Sequence, residues 1–514
     1  MLPRESLAFD PLYYRELLCP VNPHGDVGLL TLWSPLRSVK RKLTEVAPGV
    51  LDPGGSRIAV VANLYGDGML AMFCNLLFNP QIRHLIALGE DLGQSTCEEI
   101  ELFLEHGLVD AEMLGVPVKR VPNTQRVFPL LPEFDQDALR ERISFRYLGK
   151  LSRKGLGADL EATMRELPHG PPPREEDRVR VVIRDATDDY SYNPSAATGH
   201  QVIRAHPLDC WQELTVRAMR FGRPVELRKG RRLELLNVKA VITEPRVESR
   251  EALAEFGFDL DRFLSYQRSI LDPQLPEDVD YTYGNRLRGY FPLPGGGTDA
   301  LATVVDMLRD DPETRRAYLT LWDMGQDLGA GEAGSKPCLT TVFFRRHEGL
   351  LTLTATYRSH NLLWAWPENV YGLMAIQRHV AEGAGMDPGP ITVLSNSLGI
   401  NPESPRYEFA KAIERNWKTD DDLDRESGKY SLREDPNGYF VVSVDQERGK
   451  IVAEHRFGGV LLKRYEADRA VTIEREVAAD MAISLVSHAM WLGRELTLKE
   501  RALRGPASRG GEDG

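Results

Sequence analysis

The sequence predicts a multidomain chain of mixed α/β and α+β class: an N-terminal parallel-sheet α/β domain, a central α+β domain and a small C-terminal α+β appendage. Three observations carry this. Two short apolar runs, residues 57–63 and 84–88, are joined by an apolar helical segment, the order that builds a buried parallel sheet. Residues 340–346 and 350–357 alternate apolar and polar side chains around His347-Glu348-Gly349, which reads as a hairpin. Beyond residue 430 or so, three short strands (438–444, 450–454 and 460–463) precede a long helix over 471–492.

The elements follow in order. The second apolar run is closed by Gly89, and Ser95 with Glu98 three residues on predicts an N-capped helix whose inner face is Ile100, Phe103 and Leu104, stopped at Gly107. Residues 166–196 turn to Pro, Gly, Glu and Arg and read as a linker, with a strand over 179–184. A helix over 209–219 with Trp211, Leu214 and Ala218 inward ends at Gly222, and a basic turn at 228–232 leads to a strand over 238–242. Gly295-Gly296-Gly297 lacks the lysine and spacing of a phosphate-binding loop and reads as a lead-in to the helix over 299–309. The 514 residues suit about three domains. The expected boundaries are 1–165, a linker 166–196, then 197–415 and 416–504, with a disordered tail over 505–514.

Composition excludes several classes. A net charge of −12 argues against nonspecific nucleic-acid binding, which needs a basic footprint. No apolar run is long enough to span a bilayer, and the first residues lack the pattern of a signal segment. Five cysteines at 19, 74, 97, 210 and 338 are too dispersed for a disulfide framework or a metal knuckle, so a reducing cytoplasm is expected. His84 and His106 stand apart from other ligand types and read as structural or exposed.

Chemistry gathers between residues 281 and 369. Arg315, Arg316 and Arg358 open or close alternating apolar runs, where planar guanidinium forks can converge on a phosphate. Cys338 becomes a nucleophile if such cations favour its thiolate. Singly, each arginine reads as a solvated charge and the cysteine as a small buried hydrophobe; the constellation points to a phosphorylated small molecule. His360 is placed to line such a pocket, and Trp364 and Trp366 suit either an aromatic wall or plain packing.

Tyr281-Thr-Tyr-Gly284, Asp311-Pro-Glu-Thr-Arg-Arg-Ala317, Pro337-Cys-Leu339, Arg358-Ser-His-Asn361 and Asn369-Val-Tyr-Gly-Leu373 occur in one order in a block that resembles thymidylate synthase, in its archaeal form. The resemblance makes the central domain a thymidylate-synthase-like α+β domain. It implies attack of Cys338 on C6 of a pyrimidine nucleoside monophosphate and transfer of a methyl or hydroxymethyl group to C5, from 5,10-methylenetetrahydrofolate or a related pterin. It also implies phosphate binding by Arg315, Arg316, Arg358 and Ser359, with the Arg-Arg pair donated across a homodimer, reading of the base by Asn369, and proton removal from C5 assisted by Tyr283. One further phosphate arginine is implied at the basic turn, where Arg228, Arg231 and Arg232 are the candidates.

Departures accompany the match. Asn361 stands where the family has an aspartate that helps orient the folate, and Gly399 and Asn401 stand where a histidine and a tyrosine hold the sugar. The family's glutamate has two candidates, Glu248 and Glu251. Residues 79–89, with Gly93-Gln94 and Glu105-His106-Gly107, resemble the corrinoid-holding component of tetrahydromethanopterin S-methyltransferase, which implies a one-carbon cofactor site. Asp91-Leu92-Gly93 occupies the place where the corrinoid-binding histidine is wanted, so that site is not expected here. Three readings of function remain: a one-carbon transferase, favoured by Cys338, Tyr283 and the arginines; a nucleotide-binding scaffold, favoured, as is an altered substrate, by Asn361, Gly399 and Asn401; and, with less behind it, a corrinoid- or pterin-linked methyl transfer.

Overall fold

The computed structural model describes residues 7–92, 95–183, 193–196, 198–228, 230–328, 335–417, 422–423, 430–431 and 434–504. The content is mixed α/β with several sheets, and contacts divide the chain into two compact units, Met1–Asn416 and Trp417–Gly514. No helix among the described residues is long and apolar enough to cross a membrane.

The N-terminal half of the first unit holds β1 (Cys19–Pro20), β2 (Val27–Leu30), α1 (Leu36–Val46), β3 (Ile58–Ala62), α2 (Gly68–Phe78), β4 (His84–Ala87), α3 (Thr96–His106), the three-stranded meander β5 (Val109–Met113), β6 (Val116–Arg120) and β7 (Val127–Phe128), α4 (Gln136–Arg142), β8 (Ser144–Tyr147) and α5 (Leu156–Glu166). The order is β1-β3-β2-β4-β8, parallel except at β1. The two predicted apolar runs are β3 and β4, but β2 lies between them. Val27-Gly-Leu-Leu30 is buried throughout, too short a run to announce itself. Gly89 takes φ 107°, and a Cβ there would collide with the Ser34 hydroxyl and the Thr31 carbonyl.

Two expectations in this half are corrected. Ser95 makes no capping bond, because its own φ is 48°; the Asp91 carboxylate accepts from Cys97 N instead, at 3.0 Å. Residues 179–183 form no strand, and Arg184 lies outside the described residues. The Tyr13 hydroxyl holds this segment, donating to Val181 O at 2.8 Å and accepting from Ile183 N at 2.7 Å, so its backbone groups find partners outside any ladder.

The central half continues with β9 (Gln201–Arg204), α6 (Pro207–Phe221), β10 (Arg223–Leu227), β11 (Gly230–Ile242), α7 (Arg250–Glu255), α8 (Leu260–Ser269), α9 (Tyr283–Asn285), α10 (Ala300–Asp310), β12 (Tyr318–Thr320), β13 (Leu339–His347), β14 (Leu350–Tyr357), β15 (His360–Asn361), α11 (Ala365–Ala384), β16 (Asp387–Ile400) and α12 (Tyr407–Asn416). One sheet runs β10-β11-β16-β14-β13-β12, with β9 beside β11 and β15 beside β16. The predicted hairpin is β13–β14, turned by Glu348 and Gly349, whose φ angles of 51° and 84° match the twist of the flanking strands. The parallel β14–β16 pairing crosses over through α11, which buries most of its length on the sheet. The two halves touch directly: Arg37 bonds Asp280 at 2.6 Å, Leu151 N donates to Asp278 at 2.6 Å, and Ser404 donates to Asp67 at 2.5 Å.

The second unit contains the short pair β17 (Asp422–Leu423) and β18 (Tyr430–Ser431), the antiparallel sheet β19 (Tyr439–Asp445), β20 (Lys450–Phe457) and β21 (Val460–Ala467), then α13 (Ala470–Ala479) and α14 (Val486–Arg504). The predicted single helix over 471–492 is two helices. Met481 takes φ 51° in the break, and the Asp435 carboxylate accepts from Ser484 N, Ser484 Oγ, Leu485 N and His488 Nδ1, which starts α14 afresh. Burial pushes the Asp435 pKa up, but these bonds overcome it and hold the carboxyl well below its usual range. Asp435→Ala should therefore cost roughly 2–3 kcal/mol in denaturant unfolding of this unit, with hydrogen exchange rising first at the start of α14. Unchanged exchange there would show that the cap is dispensable.

Candidate active site

The hairpin brings the predicted cysteine and serine together. Cys338 is the residue before β13 and Ser359 lies in the turn after β14; Sγ and Oγ are 3.5 Å apart, and the thiol is half-buried. Cys74, Cys97 and Cys210 are buried, and burial pushes each of their thiols up, to about 12 for Cys74. Arg358, exposed, locks the Cys338 loop: its backbone N donates to Cys338 O at 2.9 Å, Nε to Pro337 O at 2.9 Å and Nη2 to Lys336 O at 3.2 Å, while the guanidinium lies 5.5 Å over the Trp322 ring. Tyr283 opens α9, and its hydroxyl accepts from Leu339 N at 3.3 Å, one residue from the sulfur.

Behind this pair lies a polar relay. Tyr266 of α8 donates to Asn369 Oδ1 at 3.0 Å, Asn369 Nδ2 reaches His360 Nε2 at 3.0 Å, and His360 Nδ1 reaches Ser395 Oγ at 3.0 Å. A neutral imidazole has one donor and one acceptor nitrogen, so Nε2 accepts and Nδ1 donates. Among the described residues, Asn369 retains one free N–H and one free lone pair. Burial lowers the His360 pKa to about 3. The unfolded chain takes up that proton near pH 6.5, so between 6.5 and 3 the unfolded state binds more protons and folding stability falls with pH, by about 1.4 kcal/mol per unit. His360→Gln should lose about 2 kcal/mol less than the wild type between pH 7 and pH 5 in denaturant titrations. Equal losses would contradict the buried neutral ring.

Other predicted residues stand apart from this cluster. Arg315 and Arg316 precede β12, are exposed, and have no ion pair among the described residues. Arg231 lies on the β10–β11 hairpin with Nε 2.5 Å from Glu226. Asn361 is exposed on β15, paired in register with Gly399. A Cβ at Gly399 would lie 3.8 Å from Arg232 Cβ, so Arg232 passes beside that position. Glu248 accepts from Leu208 N at 2.7 Å and from the Tyr371 hydroxyl, at the start of α6, and burial pushes its carboxyl up. Neither Glu248 nor the exposed Glu251 is bonded to the cysteine cluster.

Trp366 is fully buried, and the half-buried Trp364 ring carries Arg406 at 4.2 Å and Arg262 at 4.5 Å. No group of three or more metal-ligating side chains occurs among the described residues, and His84 is buried against Ser144 Oγ at 2.7 Å. Tyr266 carries no signal in the sequence, and Tyr357 and Ser395 stand there only as members of the motifs at 357–361 and 395–401, with no role of their own. Burial, with the Cys338 sulfur adding, pushes the Tyr266, Tyr283 and Tyr357 phenols well above their ordinary value, so all three stay neutral donors.

Comparison with known proteins agrees with the geometry. Residues 196–403 match the family model described as thymidylate synthase, and residues 434–508 match one described as PterinBD-DUF4346. The Methanopyrus kandleri protein named "Putative thymidylate synthase" is 31% identical over 204 residues, 39% of this chain and 93% of that protein. A Methanosarcina mazei protein of the same name is 29% identical over 202 residues, 39% of this chain and 89% of its own. A deoxyuridylate hydroxymethyltransferase of Pseudomonas phage M6 is 31% identical over 130 residues, 25% of this chain and 35% of that protein. With Cys338, Tyr283 and Arg358-Ser359 gathered at one strand end inside the matched region, the chain belongs to the thymidylate synthase family.

Proposed function

We propose that the protein transfers a one-carbon unit, methyl or hydroxymethyl, to C5 of a pyrimidine nucleoside monophosphate, deoxyuridylate or a close relative, through a covalent adduct on Cys338. The observation that carries this is the half-buried Cys338 thiol held 3.5 Å from the Ser359 hydroxyl, in a loop whose carbonyls are gripped by Arg358. Arg358 and Ser359 bind the phosphate, joined by Arg315 and Arg316 from a second copy of the chain in a homodimer, and Arg231 is a further candidate at the hairpin. Asn369 reads the base with its free N–H and lone pair. As the sulfur bonds to C6, the C5=C6 electron pair moves toward C5 and the C4 oxygen, and C5 uses that pair to bond the one-carbon unit; Tyr283 then assists loss of the C5 proton, whose electron pair restores the double bond as the sulfur leaves.

A folate or pterin supplies the one-carbon unit when bound. The residues present fit such a group: Asn361 offers an exposed amide, one donor and one acceptor, suited to the lactam edge of a pterin. The match of residues 434–508 to a pterin-associated family supports the same class of carrier.

The test is release of tritium from the C5 position of labelled deoxyuridylate by the full-length protein supplied with 5,10-methylenetetrahydrofolate. Release into water supports the transferase. Binding of pyrimidine monophosphates without any release would favour a nucleotide-binding scaffold, the reading to which Gly399 and Asn401 lend weight.

A further inference from the structure

Tyr357 closes β14 immediately before Arg358-Ser359. Its Cα is the register partner of Leu339 on one side and of Ser395 on the other, so it sits between the strand that follows Cys338 and the strand that anchors His360. The ring stacks on His360 at 4.0 Å between centroids and is 0% exposed. Its hydroxyl has no hydrogen-bond partner among the described residues. Two neighbouring phenols are engaged, Tyr266 with Asn369 and Tyr283 with Leu339 N. A buried hydroxyl without a partner costs roughly 1–3 kcal/mol, and native interiors seldom leave one so unless something else completes it.

We propose that the Tyr357 hydroxyl donates a hydrogen bond to the exocyclic oxygen at C4 of a uracil-type base. That is the atom on which negative charge gathers as Cys338 adds to C6. This rests on the reading of the site given above. The thiolate electron pair forms the S–C6 bond, the C5=C6 pair moves through C4 onto the oxygen, and Tyr357 keeps its proton throughout. A fixed donor aimed at a developing oxyanion in a site closed to water contributes far more than the same bond in solution.

Tyr357→Phe keeps the ring and its stack on His360 and removes only the hydroxyl. In the full-length protein with deoxyuridylate, tritium release should slow roughly 100-fold. The dissociation constant of the nucleotide should change less than about threefold, since the phosphate contacts remain. Without nucleotide, the variant should unfold at the same temperature as the wild type or higher, because an unpaired buried group has been removed. A packing role alone would lower that temperature and leave the release rate of the folded variant unchanged; either wild-type release by the variant or that pattern overturns the assignment. If the wild type neither binds nor exchanges any pyrimidine monophosphate, the functional reading itself falls and this proposal with it. Wild-type exchange with an unaffected variant removes Tyr357 alone.

Discussion

Cys338→Ala should lower C5 tritium release by roughly a thousandfold or more, the scale on which a covalent nucleophile acts. Without the sulfur there is no addition at C6, and C5 remains part of a conjugated ring whose proton does not exchange. Cys338→Ser should fare little better, because a hydroxyl is mostly unionised at neutral pH where a thiol supplies some thiolate. Phosphate binding does not pass through the sulfur, so both variants should still bind deoxyuridylate and unfold like the wild type. A variant retaining a tenth or so of the activity would mean that the chemistry lies elsewhere, whatever the position of Ser359 and Tyr283.

Arg315→Ala should weaken nucleotide binding by roughly 2–5 kcal/mol, the loss expected when one partner of a desolvated charge pair is truncated. Exposure is the reason. Arg315 and Arg316 sit before β12 with no ion pair among the described residues, whereas most arginines near the site are bonded to carbonyls or carboxylates. If they serve a neighbouring copy, Arg315→Ala and Cys338→Ala proteins are each inactive for different reasons. Mixed and re-equilibrated in equal amounts, they should recover about a quarter of wild-type activity, since half the dimers are hybrids with one intact site. A mixture that stays inactive although both variants are folded and exchange protomers would rule out sharing of the pair.

The readable part of the site was the part spelled by short neighbouring motifs. Cys338 and Arg358-Ser359 flank a hairpin whose two-residue turn at Glu348-Gly349 and alternating strands are local signals, so their meeting followed from the pattern. The relay of Tyr266, Asn369, His360 and Ser395 was not readable in that way. Its members come from α8, α11, β15 and β16, more than a hundred residues apart at the extreme, and their hydrogen bonds exist only after the sheet is assembled. Likewise, the break between α13 and α14 depends on Asp435, far upstream, and local helix propensity cannot register it.

By itself, the sequence determined the class of the chain, the hairpin that carries the thiol, the order of the motifs and the residue types that could meet a phosphorylated small molecule. Those rest on periodicity and on side-chain chemistry, both written locally. The tertiary structure alone decided that β2 separates the two predicted strands, that Trp366 is buried while the Trp364 ring carries two arginines, that His360 is a neutral link in a relay, and that the Tyr357 hydroxyl has no partner among the described residues. Each of these is set by burial and by partners distant in sequence, and the cost of a polar group depends on what surrounds it once water has gone.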